Sequence, residues 1–253
     1  MLAPERLNAL LNYLEQHEVG RISELAQRLG VSPMTVRRDL RKLEGQGQVR
    51  RIFGGAVLDR AAGGDARLDA RWQERASEKM LIGAAASRLI QDGDTVILDA
   101  GSTTLCLAKH LHDGRNITLV TNFLPIMWEL SNEPTIHLVA LGGEFNHQQQ
   151  YFYGPLAEHA LRQMRIDKLF LGIHGIQAEH GLSENAFTDI PLKWLYLSIS
   201  RQTIVLADSG KVGRAAFFRV CPASDVDVVI TDCGADPVEV DQLKQAGLKV
   251  ILA

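Results

Sequence analysis

Seven short apolar runs alternate with helix-period stretches between residues 95 and 252. No other feature constrains the fold of this 253-residue chain as strongly. The runs cover 95–98, 117–121, 136–141, 168–172, 203–207, 226–231 and 248–252, and are rich in β-branched residues. Continuously apolar strands are buried on both faces, and strands separated by helices are joined by crossovers. The pattern therefore predicts an α/β fold, a mostly parallel sheet with helices on both sides. Ligands in such sheets gather outside the carboxyl ends of the strands, so chemistry is expected in the turns that follow them.

Those turns are small and polar. Asp99-Ala100-Gly101-Ser102-Thr103-Thr104 follows the first run and opens a helix, where hydroxyls and backbone amides suit an anion. Asn122 closes the second run, Gly142-Gly143-Glu144 follows the third and Gly172-Ile173-His174-Gly175 the fourth. Asp208-Ser209-Gly210-Lys211 follows the fifth, and Lys211 offers positive charge to a phosphate. A Gly or Ser after a strand is usually a plain turn, but several on one sheet edge argue for a pocket. His174 is either a pocket group or a structural hydrogen-bond partner. Asp99 either orients a ligand hydroxyl or caps its own turn. Gly210-Lys211 lacks the Ser/Thr and the leading Gly of a nucleotide P-loop, and no G-x-G-x-x-G occurs, so no dinucleotide or other cofactor is expected; the histidines and cysteines lack ligand spacing, so no metal is expected either.

The first 60 residues follow another pattern. Residues 4–17 read as an amphipathic helix through Leu7, Leu10, Leu11 and Leu14, ending near Gly20. A second helix follows with Ser23 as its expected cap, and Gly30 breaks it. Ser32 before Pro33 is the favoured order of a helix cap and a first helical proline. The third helix, 33 to about 46, places Val36, Leu40 and Leu43 on one face. That leaves Met34, Thr35, Arg37, Arg38 and Arg41 on others. Two short helices joined by a Gly turn make a helix-turn-helix, whose second helix enters the DNA major groove, with Ser23, Ser32, Pro33, Met34, Thr35, Arg37, Arg38 and Arg41 as the expected contacts. The next segment, 48–57, carries Arg51 and the pair Gly54-Gly55 and reads as a basic hairpin, a wing for the phosphate backbone. Residues 59–70 are polar and aperiodic and read as part of a linker. A further helix is expected from 72 to about 90. The domains are thus 1–57, a linker at 58–71, and 72–253.

Charge agrees with this division. Residues 28–51 hold seven basic and two acidic side chains, whereas the whole chain carries −3. A basic patch on an acidic protein suits a DNA-contacting head. No apolar run is long enough to span a bilayer and no secretory signal is visible at 1–10, so a cytoplasmic protein without membrane partners is expected. The widely spaced Cys106, Cys221 and Cys233 are expected to be reduced and buried or half-buried.

The run 31–40, then Leu43-Glu44, then 51–56 resembles the signature of DeoR-type repressors, with Phe53 where that family usually has His. The body resembles the same family through 99–104, Thr121-Asn122, 142–144, Gly154-Pro155, 167–175, 208–213 and Thr231-Asp232, with Gly210 and Val212 departing from the usual loop. The resemblance implies a sensor domain related to the ribose-5-phosphate isomerase fold, with a phosphorylated sugar as effector. The run 189–194 is closest to the branch that responds to deoxyribose phosphate, and leaves Lys193 as either a pocket residue or a solvated helix lysine.

Together these readings point to a DNA-binding regulator released from operator DNA by a phosphorylated sugar. It is expected to be a homo-oligomer, because operator half-sites call for at least a dimer. The alternative is a phosphosugar isomerase-like enzyme carrying an accessory helix-turn-helix, with Asp99 or Glu144 as its base.

Overall fold

The computed structural model describes residues 6–7, 9–11, 13–14, 19–45, 49–52, 54–58 and 72–253. The chain divides into two compact units, Met1–Gly64 and Asp65–Ala253. Most of the expected linker, Phe53, the side chain of Arg51 and parts of the first helix lie outside the described residues.

In the first unit, the described residues between 6 and 14 are helical. Strand β1 (Val19–Arg21) runs directly into helix α1 (Ile22–Leu29). Gly30 ends α1 at φ 63°, a left-handed position that only glycine takes without a Cβ penalty, and donates back to the carbonyls of Ala26 and Gln27. Helix α2 (Pro33–Gly45) follows, and Ser32 Oγ accepts from Thr35 N at 3.1 Å as its cap. Strands β2 (Val49–Ile52) and β3 (Gly55–Leu58) form the expected hairpin, and β1 adds to the far side of β3. Leu10, Leu14, Leu25, Val36, Leu40, Leu43, Val49 and Ala56 make one core. Beside it Arg6 Nε donates to Asp39 Oδ2 at 2.5 Å, a buried pair that ties the first helix to α2.

Two expectations fail here, both because of β1. Ser23 does not cap α1: the helix starts one residue before it, its cap position is Arg21, and no side chain caps it. The N–H of Ile22 instead donates to Gly54 O of the hairpin at 3.0 Å. Gly20, expected to end a helix, lies within β1. The same strand explains Gly55, where an added Cβ would stand 2.4 Å from Gly20 O.

The second unit is a seven-stranded sheet. Its strands are β4 (Thr95–Leu98), β5 (Ile117–Thr121), β6 (Ile136–Ala140), β9 (Ile166–Gly172), β12 (Ser200–Leu206), β14 (Val228–Thr231) and β15 (Lys249–Leu252). All neighbours are parallel, in the order β15-β14-β12-β9-β4-β5-β6. Each expected run overlaps one of these strands, with β9 and β12 starting two and three residues before theirs. Alternate side chains feed two cores: Ile97, Leu169, Leu171 and Val205 on one face, Val96, Leu98, Phe170 and Ile204 on the other. Helices α3 (Ala76–Ser87), α4 (Ser102–Ala108) and α5 (Leu124–Glu129) supply the second core. Helices α6 (Pro155–Leu161), α7 (Ile190–Ile199) and α8 (Pro237–Gln245) supply the first.

The short strands β7 (Glu144–Asn146) and β8 (Tyr151–Tyr153) pair as a hairpin. Strands β10 (Gly175–Gln177), β11 (Gly181–Glu184) and β13 (Phe218–Cys221) form a small antiparallel sheet. The helix expected over 72–90 is interrupted at Arg75, which takes φ 50°. There its guanidinium donates to Ser209 Oγ at 2.6 Å and lies 3.7 Å from Asp208 Oδ1, so a tertiary contact overrides helix propensity. Cys106 is half-buried and Cys221 buried, but Cys233 is exposed, a correction, and all three are free thiols. Among the described residues no helix is long and apolar enough to cross a membrane.

Candidate functional site

Chain order reverses across the β4–β9 pair. From β4 the sheet grows through β5 and β6, whereas β9, β12, β14 and β15 extend the opposite way. The crevice at such a switch point is where open parallel sheets bind ligands. A pocket opens there, walled by Asp99–Thr103 after β4, Asn122 after β5, Gly172–His174 at the end of β9 and Lys211 after β12. Gln149, Tyr151, Glu184, Leu192 and Lys193 complete it.

The inner wall is a buried charged chain. Lys193, reaching in from α7, donates to Asp99 Oδ2 at 2.5 Å and Gly172 O at 2.7 Å, and lies 3.1 Å from Glu184 Oε1. The other oxygen of Glu184 pairs with His174 Nδ1. Burial drives the Glu184 carboxyl upward, but the Lys193 ammonium and His174 outweigh it and hold it at about 2. For Asp99 burial wins: its carboxyl is raised despite Lys193, with the charge of Glu184 adding to the rise. Asp99 does not cap α4, which has no side-chain cap; its carboxylate accepts from Gly172 N at 3.3 Å.

Lys193 is thus a buried pocket residue. Asp99, Gly101, Ser102, Thr103, Asn122, His174 and Lys211 share the pocket with it. Thr104, Gly142, Gly143, Glu144, Gly175 and Asp208 do not line it. Thr104 instead braces the turn, its hydroxyl donating to Asp99 O at 2.7 Å and Gly101 O at 2.9 Å. Gly142 and Gly143 lead into β7, where Glu144 is exposed. An added Cβ on Gly175 would stand 2.4 Å from Arg214 O, so that glycine serves packing. Asp208 braces the Lys211 loop, accepting from Gly210 N at 3.1 Å, with Lys211 Nζ 3.8 Å from its other oxygen. Sequence reading missed Gln149, Tyr151 and Glu184. Glu184 ends a four-residue strand, too short to show a period, and only its burial distinguishes it.

In the first unit, α2 turns Val36, Leu40, Leu43 and the paired Asp39 inward. Ser32, Pro33, Met34, Arg37, Arg38 and Arg41 are exposed, with Thr35 half-buried. Ser23 on α1 and Gly54 in the hairpin turn are also exposed, while Gly55 is buried. An exposed arginine face on the second helix of a helix-turn-helix, beside a hairpin, has the chemistry that a DNA groove calls for. A helix-turn-helix with a wing, on one chain with an α/β pocket domain, defines the class of ligand-responsive DNA-binding regulators.

Comparison with known proteins narrows the class. A family described as DeoR-like helix-turn-helix domain matches residues 6–62, and one described as DeoR C terminal sensor domain matches 74–233. The uncharacterized regulator YulB of Bacillus subtilis is 34% identical across 99% of this chain and 96% of its own. The repressor GlcR of the same organism is 33% identical across 100% and 97%, and a putative aga operon repressor of Escherichia coli O157:H7 is 30% identical across 98% and 93%. Ribose 5-phosphate isomerase A of Methanocaldococcus jannaschii overlays 55% of each chain at TM-score 0.41 and 15% identity, too slight a likeness to carry argument. The chain belongs to the DeoR family of DNA-binding transcriptional regulators.

Proposed function

We propose that the chain represses a carbohydrate catabolic operon and is released from its operator by a phosphorylated sugar. Residues 1–57 serve as the operator-binding head, 58–71 as the linker, and 72–253 as the sensor and oligomerisation domain. The observation that carries the reading is the pocket at the β4–β9 switch point, which the polar turn 101–103 and Lys211 line together with Asn122, His174 and Lys193. Relatives named as repressors, GlcR and the aga operon protein among them, support the direction of control. Thr35, Arg37, Arg38 and Arg41 face DNA, and Arg51 and Gly54 belong to the wing. The effector works by binding the DNA-incompetent state more tightly, since equal affinity for both states shifts nothing.

The test is selection of bound fragments from sheared genomic DNA, followed by fluorescence anisotropy on the recovered sequence. The reading expects affinity on the order of 10⁻⁸ M or better at physiological salt, with competitor DNA bound at least about 10³-fold more weakly. Binding no tighter to any fragment than to random DNA would sink it.

A further inference from the structure

Met34 is 68% exposed, and among the described residues of the first unit it is the one large hydrophobic side chain left in water. A single exposed apolar residue is ordinary by itself. The position of this one on α2 sets it apart. Pro33 is the first residue of the helix and Met34 the second. Arg37, Arg38 and Arg41 stand three, four and seven positions further on and are exposed, so all four side chains leave the helix on one face. Val36, Leu40 and Leu43 fill the opposite face in the core. The first turn carries no acidic residue that would repel a phosphate from the helix N-terminus. Ser32 and Thr35 beside it are bonded to each other: their hydroxyl oxygens are 2.9 Å apart, and Ser32 Oγ also accepts from Thr35 N at 3.1 Å. That leaves one of the two hydroxyl hydrogens to donate outward. The leading end of the face therefore presents a thioether where polar groups are already engaged.

Resting on the reading of α2 as the operator-facing helix, we propose that Met34 is a specificity-determining residue that packs against the C5-methyl group of a thymine in the major groove. Residues at the N-terminal end of such a helix are the ones that reach base edges. A thioether has no donor and only a weakly accepting sulfur, so it is a poor reader of the polar edges of guanine, adenine and cytosine. The thymine methyl is the apolar group that the major groove offers. An unbranched, polarizable side chain adapts readily to it. Both partners are in water before binding and are withdrawn from it together, so the contact favours DNA that carries the methyl. The arginines of the same face supply the phosphate and guanine contacts, and Met34 supplies the apolar one.

The test uses the full-length protein and the operator recovered by selection from genomic DNA, with anisotropy read at a salt concentration where every variant binds measurably. Thymines of the operator are replaced one at a time by deoxyuridine, which removes the methyl and keeps the hydrogen-bonding edge. At one thymine of the half-site the wild type is expected to lose about fourfold in affinity, the fold-change that corresponds to about 0.8 kcal/mol for one buried carbon. Met34→Ala abolishes that loss, and Met34→Leu, which stays apolar, retains it; at every other thymine the three proteins respond alike. Met34 lies outside the core, so neither substitution disturbs the fold of the head. If no thymine methyl matters, or if its removal costs Met34→Ala as much as wild type, the inference is overturned while operator binding keeps the reading of α2 intact. Binding no tighter to any genomic fragment than to random DNA overturns both.

Discussion

At the residue scale the molecule turns on three buried groups and the half-buried His174. Asp99 and Glu184 share the Lys193 ammonium, and His174 holds the outer oxygen of Glu184. Removing one partner from a buried ionic network leaves uncompensated charge, which is strongly destabilising. Lys193→Met is expected to cost the body roughly 3–5 kcal/mol, read by urea unfolding. The two carboxylates also respond to pH in opposite senses. Glu184 ordinarily titrates at 4.5 and is held at about 2, so its contribution is present above pH 4.5 and lost as pH falls toward 2. Asp99 is raised, so its contribution is present below its ordinary value of 3.8 and lost as pH rises through the folded value. Acid unfolding of the wild type against Glu184→Gln isolates the first effect: the wild type loses stability relative to the variant between pH 4.5 and 2, and parallel curves would contradict the assignment. Sequence reading reached Asp99, His174 and Lys193 because each stands in or near a recognisable motif. It left the roles of Lys193 and His174 open, because a lysine on a helix looks alike whether it points to water or to a buried carboxylate. Glu184 had no local signal at all.

At the element scale, the longer pieces were legible and the shortest were not. Seven runs of β-branched residues correspond to the seven strands of the parallel sheet, since double burial leaves a continuous apolar trace. Strands β1, β7, β8 and β10, three residues each, carry no period to read. Missing β1 produced the error at Ser23, because a helix whose first N–H is met by Gly54 O needs no side-chain cap. The same strand makes a test of the wing. Gly55→Ala places a methyl 2.4 Å from Gly20 O, so it is expected to lower the head's stability and operator affinity while leaving effector binding unchanged. Anisotropy and calorimetry on one preparation check both halves, and unaltered operator affinity would show that the β1–β3 contact does not position the wing. On α2, the exposed Arg38 is expected to pair with phosphate or a base edge. Arg38→Ala therefore weakens binding and, for a phosphate contact, reduces the slope of log K against log salt by about one. A slope and affinity equal to wild type would place Arg38 off the DNA.

At the scale of the whole molecule, the division between a basic head and an acidic body was visible in charge placement alone: residues 28–51 are strongly basic in a chain of net charge −3. The pocket's position follows from topology, because the sheet reverses order between β4 and β9 and the loops that leave those strands face each other. Which turns reach the crevice was not legible, since Gly142, Gly143 and Glu144 follow a strand as Asp99–Thr103 do, yet lead away along β7. The central claim is that a small phosphorylated sugar controls the grip of the head on DNA. Coupling free energies of about 1–3 kcal/mol correspond to roughly 5–150-fold changes in affinity. Operator affinity measured by anisotropy at fixed salt, with and without a saturating phosphorylated sugar shown to bind the protein, tests this directly. The account predicts a loss within that range in wild type. An operator affinity that stays the same when the pocket is filled would contradict it.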